Sequence, residues 1–170
     1  MQAIADRAGA SKETLYSWFG GREGVVSALI ESNADTSAER VTAAMRAMPT
    51  SRNDARTVLV GYATSLLTLL TGGESVALNR AAMTSPALGE ALLASGRNRV
   101  GPIVEDFIGR LDRAGLLRAP DPAEAFRTLY GLVVRDTQIR VLLGETPPSA
   151  RRIATDAEAA VDRFLELYRG

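Results

Sequence analysis

The chain has 170 residues, of which 46% are hydrophobic and 24% charged, and this balance suits a globular protein. It contains no cysteine and no histidine, which excludes disulfides, thiol nucleophiles, thiolate zinc sites and imidazole general bases. We therefore predict no catalytic residue, no metal site and no cofactor. Lys and Arg number 20, as do Asp and Glu, so bulk charge gives no sign of a nucleic-acid partner.

Nothing in the sequence indicates export or a membrane anchor. Asp6 and Arg7 stand where a signal peptide would carry its apolar stretch. No apolar run reaches the roughly 20 residues that a membrane helix needs. We expect a cytoplasmic protein.

The first predicted elements are two short helices joined by a tight turn. Gly9 stands where the first helix must reverse, because a residue without Cβ adopts the left-handed conformation at little cost. Ser11 is placed to cap the second helix, Lys12 to Phe19, with Leu15 and Phe19 facing inward. This is the pattern of a helix-turn-helix, whose second helix enters the major groove by its N-terminal end.

The rest of the chain is also predicted to be helical, since its apolar residues recur at spacings of three and four. The predicted helices are one from about Glu23 to Met48, one capped by Asp54 and stopped by Gly72, one from Glu74 to the break at Ser85-Pro86, one with a stripe from Val100 to Leu111 that Gly115 ends, one from Asp121-Pro122 through Val141, and one capped by Ser149 that runs to Tyr168.

Several side chains of the N-terminal motif have the chemistry for DNA contacts. Backbone N–H groups and short polar side chains at a helix start can meet phosphates or base edges, and the next helix can supply a phosphate clamp. The candidate DNA-binding residues are Ser11, Lys12, Glu13, Thr14, Tyr16, Trp18 and Arg22. Residues 1–30 carry three basic and three acidic side chains, so this recognition would depend on geometry rather than on local charge.

The motif resembles the signature of the TetR family of bacterial transcriptional repressors. The matching residues are Ile4, Ala5, Ala8, Gly9, Ser11, Thr14, Leu15, Tyr16, Phe19, Arg22 and Glu23. The resemblance implies an all-α fold, with a helix-turn-helix head (residues 1–32) joined to an antiparallel helical ligand-binding and dimerisation body (residues 33–170). It also implies a homodimer that binds double-stranded operator DNA and releases it when a small-molecule effector, of apolar character, is bound.

The motif departs from the family pattern at two points. Family members carry a further helix ahead of it, so we expect an incomplete head in which Ile4, Leu15 and Phe19 expose apolar surface. Trp18 replaces a smaller aromatic residue or a histidine, which changes a phosphate contact but not the fold.

The body offers candidates for the effector pocket and for the dimer interface. Aromatic, Met and amide side chains at helical spacing can line a cavity, although they are more often plain core. The pocket candidates are Tyr62, Leu66, Asn79, Met83, Phe107, Phe126 and Tyr130. The last two helices carry amphipathic stripes that suit a four-helix dimer contact, although they could equally pack only within their own subunit. The interface candidates are Phe126, Val133, Thr137, Ile153, Ala157, Val161, Phe164 and Tyr168.

Two alternatives remain open. The chain could be a helical dimer that binds a small molecule or a partner but no DNA in this form. An enzyme is disfavoured, because the adjacent carboxylates of Glu105 and Asp106 point to different sides of a helix and cannot cooperate.

Overall fold

The computed structural model describes residues 5–6 and 8–170, and over these residues the chain is helical without any strand. A helical segment that includes Ala5, Asp6 and Ala8 comes first. The helices that follow are α1 (Lys12–Phe19), α2 (Arg22–Met45), α3 (Arg52–Thr71), α4 (Gly73–Ala82), α5 (Pro86–Ser95), α6 (Arg97–Arg113), α7 (Pro122–Val134), α8 (Thr137–Leu142) and α9 (Ala150–Leu167). The predicted all-α class is confirmed. Ile4 and Arg7, which the sequence analysis used, lie outside the described residues.

Most predicted helix ends are present, since local chemistry fixes them. Ser149 Oγ accepts a hydrogen bond from the Arg152 N–H at the start of α9. The Asp121 side chain accepts hydrogen bonds from the N–H groups of Ala123 and Glu124, which follow Pro122. Gly115, with φ of 69°, follows the end of α6.

Two predicted boundaries were wrong. Ser51, not Asp54, caps α3, because its side chain accepts a hydrogen bond from the Asp54 N–H at 3.1 Å and places Asp54 in the first turn. The helix predicted to run through Val141 breaks after Val134, where Arg135 adopts φ of 45° and the chain restarts as α8. The apolar period continues through Val141 and therefore hides this break.

The main core lies in the body, where α9 packs against α3 and α7 while α6 packs against α7. Its largest fully buried side chains are Phe107, Phe164, Met45, Leu59, Ile108, Leu111, Leu129, Val104, Val133 and Val161. Burying such a side chain stabilises the fold by about 1.5–3 kcal/mol. The last turn of α9 is also tied to α3 by a hydrogen bond from Arg52 to the Leu165 carbonyl.

One long helix connects the two ends of the molecule. The 24 residues of α2 span about 36 Å at 1.5 Å per residue. This helix packs against α1 near its start and against α5 and α6 further along. Because α6 contacts α2, a displacement of α6 would act directly on the helix that carries α1.

No helix in the described part of the chain is long and apolar enough to cross a membrane.

Candidate functional site

A Schellman turn precedes α1. The Ala10 N–H donates to the Ala5 carbonyl at 3.0 Å and the Gly9 N–H donates to the Asp6 carbonyl at 3.3 Å, with Gly9 at φ of 61°. Ser11 then caps α1, because its Oγ accepts a hydrogen bond from the Thr14 N–H at 3.0 Å. The turn predicted from Gly9 and Ser11 is confirmed, and it directs the first turn of α1 away from the preceding segment.

The candidate DNA-binding side chains lie on the outer surface of α1 and at the start of α2. Ser11, Lys12, Glu13, Trp18 and Arg22 are exposed, whereas Thr14 and Tyr16 are half-buried. Lys12 Nζ lies 5.4 Å from the centre of the Tyr16 ring, a cation–π distance that holds both side chains on one face. Trp18 is 69% exposed, which is unusual for so large an apolar side chain.

Glu13 is the acidic residue of the first turn of α1. A backbone hydrogen bond, followed by one from the Ser11 side chain, lowers the pKa of the Glu13 carboxyl. The lowered pKa favours the charged carboxylate, which the positive end of the helix dipole also stabilises.

The expected exposure of apolar side chains in the head is wrong for Leu15, which is buried, because α1 packs on α2. Phe19 is 40% exposed, which agrees with the expected exposure of the head but not with the inward position predicted for this side chain. Ile4 lies outside the described residues.

The predicted pocket residues do not form one group. Met83 is exposed at the end of α4, and Asn79 Nδ2 donates to the Ser75 carbonyl at 2.8 Å within that helix. Phe107 is fully buried in the main core, and Leu66 packs on the edge of that core. The remaining three, Tyr62, Phe126 and Tyr130, lie close together between α3 and α7, and α6 adds residues to them.

We define the Arg97 cluster as Arg97, Phe126, Tyr130 and Tyr62. The Arg97 guanidinium lies 4.6 Å from the centre of the Tyr130 ring and 5.9 Å from that of Phe126. These two rings meet edge to face with centroids 6.1 Å apart. Burial, and then the neighbouring Tyr130, raises the pKa of the Tyr62 hydroxyl, while the charge of Arg97 lowers it, so Tyr62 stands within electrostatic range of both.

Arg97 was missed by the sequence analysis, which began the helix of this region at Val100. The sequence feature that could have identified Arg97 is its four-residue spacing from Gly101. The two residues are one helical turn apart, so the basic side chain lies above a residue without Cβ. A Cβ at Gly101 would lie 3.1 Å from a ring carbon of Phe126. Glycine therefore allows α7 to bring its aromatic ring against α6.

The predicted dimer-interface residues face the interior of the subunit. Phe126, Val133, Ile153, Ala157, Val161 and Phe164 are all buried within one chain. Tyr168 is half-buried, and its hydroxyl hydrogen-bonds to Thr128 at 3.2 Å, while Thr137 is half-buried at the start of α8. The six buried side chains therefore offer almost no surface to a second subunit. The apolar spacing in the sequence had identified the stripe of α7 and α9 that faces the core.

Comparison with known proteins matches both the body and the whole fold. Residues 57–170 match the family model for the C-terminal domain of AefR-like transcriptional repressors. A TetR transcriptional regulator from Agrobacterium tumefaciens is 36% identical, with a TM-score of 0.77, over 97% of this chain and 81% of its own. No curated protein matches the chain closely enough to be named as a relative.

Two further solved structures share the fold over 99% of this chain and 86% of their own. One is a TetR-family transcriptional regulator from Mesorhizobium loti, 24% identical with a TM-score of 0.85. The other is the flavonoid-responsive regulator FrrA, 26% identical with a TM-score of 0.68. The family is one of regulators rather than enzymes. From the family model over the body and the 36% identity over almost the whole chain, the protein belongs to the TetR family of transcriptional regulators.

Proposed function

We propose that this regulator is a homodimeric repressor that binds operator DNA through α1 and leaves it when a small-molecule effector binds in the body. The observation that carries the DNA-binding part is the exposed first turn of α1, preceded by the Schellman turn at Gly9 and capped by Ser11. A capped helix start presents free N–H groups and short polar side chains to a groove. The head then comprises residues 1–32 and the body residues 33–170.

Binding to DNA is tested by fluorescence anisotropy with the duplex immediately upstream of the gene, at fixed salt concentration. Lys12→Ala is expected to weaken binding by roughly 5- to 150-fold, which is what loss of a base contact costs. Arg40→Ala is the matched control, because Arg40 is also exposed but lies about 27 Å further along α2 than Arg22. Equal affinities of both variants and the parent chain would contradict the assignment of α1.

The dimer contact that we propose uses the outward faces of α7 and α9 rather than their core stripes. Gly131 lies in the middle of α7, is exposed, and has no other atom within 4 Å of the position of an added Cβ. A glycine inside an exposed helix costs about 1 kcal/mol relative to alanine. Nothing in the described part of the subunit packs at this position to offset that cost, which supports close approach of a second helix there.

Sedimentation velocity distinguishes the two faces. Gly131→Arg should convert dimers to monomers, since a long charged side chain would occupy the contact. Gly131→Ala is the control and should remain dimeric. A dimer that survives Gly131→Arg would exclude this face of α7.

Release from DNA would proceed through α2, which carries the head and packs on α6. Arg99 in the first turn of α6 pairs with Asp35 of α2, and Arg110 Nη2 donates to the Met45 carbonyl at 2.6 Å. An effector that shifts α6 would therefore move α2 and change the separation of the two recognition helices. Two successive major grooves on one face of DNA lie about 34–36 Å apart, so the two recognition helices need this separation to bind.

The responsiveness of FrrA to flavonoids supports an effector-controlled mechanism for this chain. An effector can release DNA only by binding the DNA-incompetent arrangement more tightly. An effector that binds the body and leaves operator affinity unchanged would contradict this part of the proposal.

A further inference from the structure

We propose that the Arg97 cluster binds the carboxylate of an aromatic effector, with the guanidinium of Arg97 holding the carboxylate and the ring of Tyr130 packing on the aromatic part. This inference rests on the proposed function, which assigns an effector to the body, and it names the chemical class of that effector. It replaces the purely apolar effector expected from the sequence.

The first support is that the Arg97 guanidinium has no ion-pair partner in the described part of the chain. Arg97 is exposed, and among the described residues no carboxylate lies within ion-pair distance of its guanidinium, whereas Arg99 in the same first turn of α6 pairs with Asp35. A planar guanidinium binds a carboxylate through two parallel hydrogen bonds. Its position over the Tyr130 ring holds that fork in place.

The second support is the hydroxyl group of Tyr62. This side chain is 5% exposed, yet its hydroxyl has no hydrogen-bond partner within the part of the chain that the structure describes. No fully buried side-chain nitrogen or oxygen among the described residues lacks a hydrogen-bond partner, so the Tyr62 hydroxyl oxygen retains some accessible surface. Buried hydroxyl groups are normally paired, which makes this one a donor available to a ligand.

The third support is the start of α6 itself. This helix begins at Arg97 without a side-chain cap and without an acidic residue in its first turn. Among the residues that the structure describes, the only carboxylate that an ion pair places at this first turn is that of Asp35, which is engaged with Arg99, so an anion beside Arg97 would gain from both the guanidinium and the helix dipole.

One acidic group close to the cluster is Glu105, whose carboxylate oxygen would lie 3.8 Å from a Cβ at Gly101. It stands two turns beyond Arg97, about 12 Å along α6. The pKa of Arg127 is raised, first by a hydrogen bond to Glu124 and to a smaller extent by the charge of Glu105. Within the described residues, Glu105 forms no ion pair with Arg97.

The aromatic part of the effector is inferred from the surfaces beside the charge. The half-buried Tyr130 ring is the aromatic surface beside Arg97, and the buried Phe126 ring, which Gly101 admits against α6, meets it edge to face. Flat aromatic groups gain from packing on such rings beyond the area they bury. A carboxylate joined to an aromatic ring would bind the Arg97 guanidinium and accept a hydrogen bond from the Tyr62 hydroxyl, while its ring packs on Tyr130.

Isothermal titration calorimetry of the full chain, without DNA, tests the inference. The probes are 4-hydroxybenzoate and 6-hydroxy-2-naphthoate, each compared with its uncharged amide. At least one acid is expected to bind the parent chain roughly tenfold or more tightly than its amide, and Arg97→Gln should abolish that difference. Tyr62→Phe should weaken acid binding by roughly two- to tenfold.

Arg113→Gln is the matched control, because Arg113 is exposed at the opposite end of α6. It should leave acid binding unchanged, and melting temperatures of all variants verify that they fold. Amides that bind as tightly as acids, acids that bind equally well to the Arg97→Gln chain, or acids that do not bind at all would overturn the inference.

The failure of this inference is distinguishable from failure of the proposed function. If the acids bind through Arg97 but operator affinity does not change, the effector class stands and the release mechanism fails. If no acid binds while Lys12-dependent DNA binding persists, the effector class fails and the DNA-binding function stands.

Discussion

Replacing Phe164 with alanine tests the packing of α9 quantitatively. The Phe164 ring is 0% exposed in the main core and lies 4.7 Å from the Tyr168 ring, centroid to centroid. Removing a fully buried phenylalanine costs about 3–5 kcal/mol in the free energy of unfolding, through lost burial and the cavity left behind. For a chain of this size each 1 kcal/mol lowers the melting temperature by about 2–4 °C. We therefore expect Phe164→Ala to melt about 6–20 °C below the parent chain.

Circular dichroism melts and urea unfolding measure this difference. Leu167→Ala is the matched control on the same helix, since Leu167 is 65% exposed and its truncation should change stability by no more than about 0.5 kcal/mol. Phe164→Glu should likewise unfold the chain, because it places a charge in the main core, whereas a residue of a dimer interface alone would give folded monomers. A well-folded Phe164→Glu monomer, or equal losses in Phe164→Ala and Leu167→Ala, would refute the assignment of this stripe to the core.

Three further outcomes are expected. Ser11→Ala should destabilise α1 by about 0.5–2 kcal/mol, measured as faster amide exchange in that helix, and unchanged exchange would contradict its capping role. Hydrogen bonds from Arg56 lower the pKa of Asp162, so the ion pair stabilises the fold above pH 3.8. This stabilisation is lost as the pH falls through the lowered pKa. The melting temperature of Asp162→Asn should therefore depend less on pH in this acid range than that of the parent chain. Asp35→Asn should leave effector affinity unchanged but reduce effector-induced loss of DNA binding, because it breaks the pair with Arg99; full retention of the response would exclude this link.

Local chemistry made the helix ends predictable. The left-handed Gly9, the Ser149 cap and Pro122 in the first turn of α7 each depend on residues within a few positions of one another. The break at Arg135 could not be predicted in this way. Its unfavourable backbone angle is imposed by packing of α8 on α3 and α4, and the apolar spacing passes through it unchanged.

The sites were less accessible to prediction, because periodicity identifies which residues share a helix face but not what covers that face. The stripe through Val161 and Phe164 was consistent with either a core or a dimer contact, and only the buried fractions distinguish them. The Arg97 cluster combines residues from α3, α6 and α7, which are far apart in the chain. Its aromatic members were among the candidates, while Arg97 needed the observed start of α6.

The measurement that tests the central claim most directly is the spacing dependence of DNA binding. A site selected from random duplexes by the full chain would be rebuilt with 5 or 10 additional base pairs between its half-sites. If two copies of α1 are held in one dimer at a fixed separation, both insertions should sharply reduce affinity, the first by rotating one half-site and the second by moving it a full turn away. Affinity that does not depend on the spacing would show that α1 is not presented in this paired arrangement, and would contradict the account.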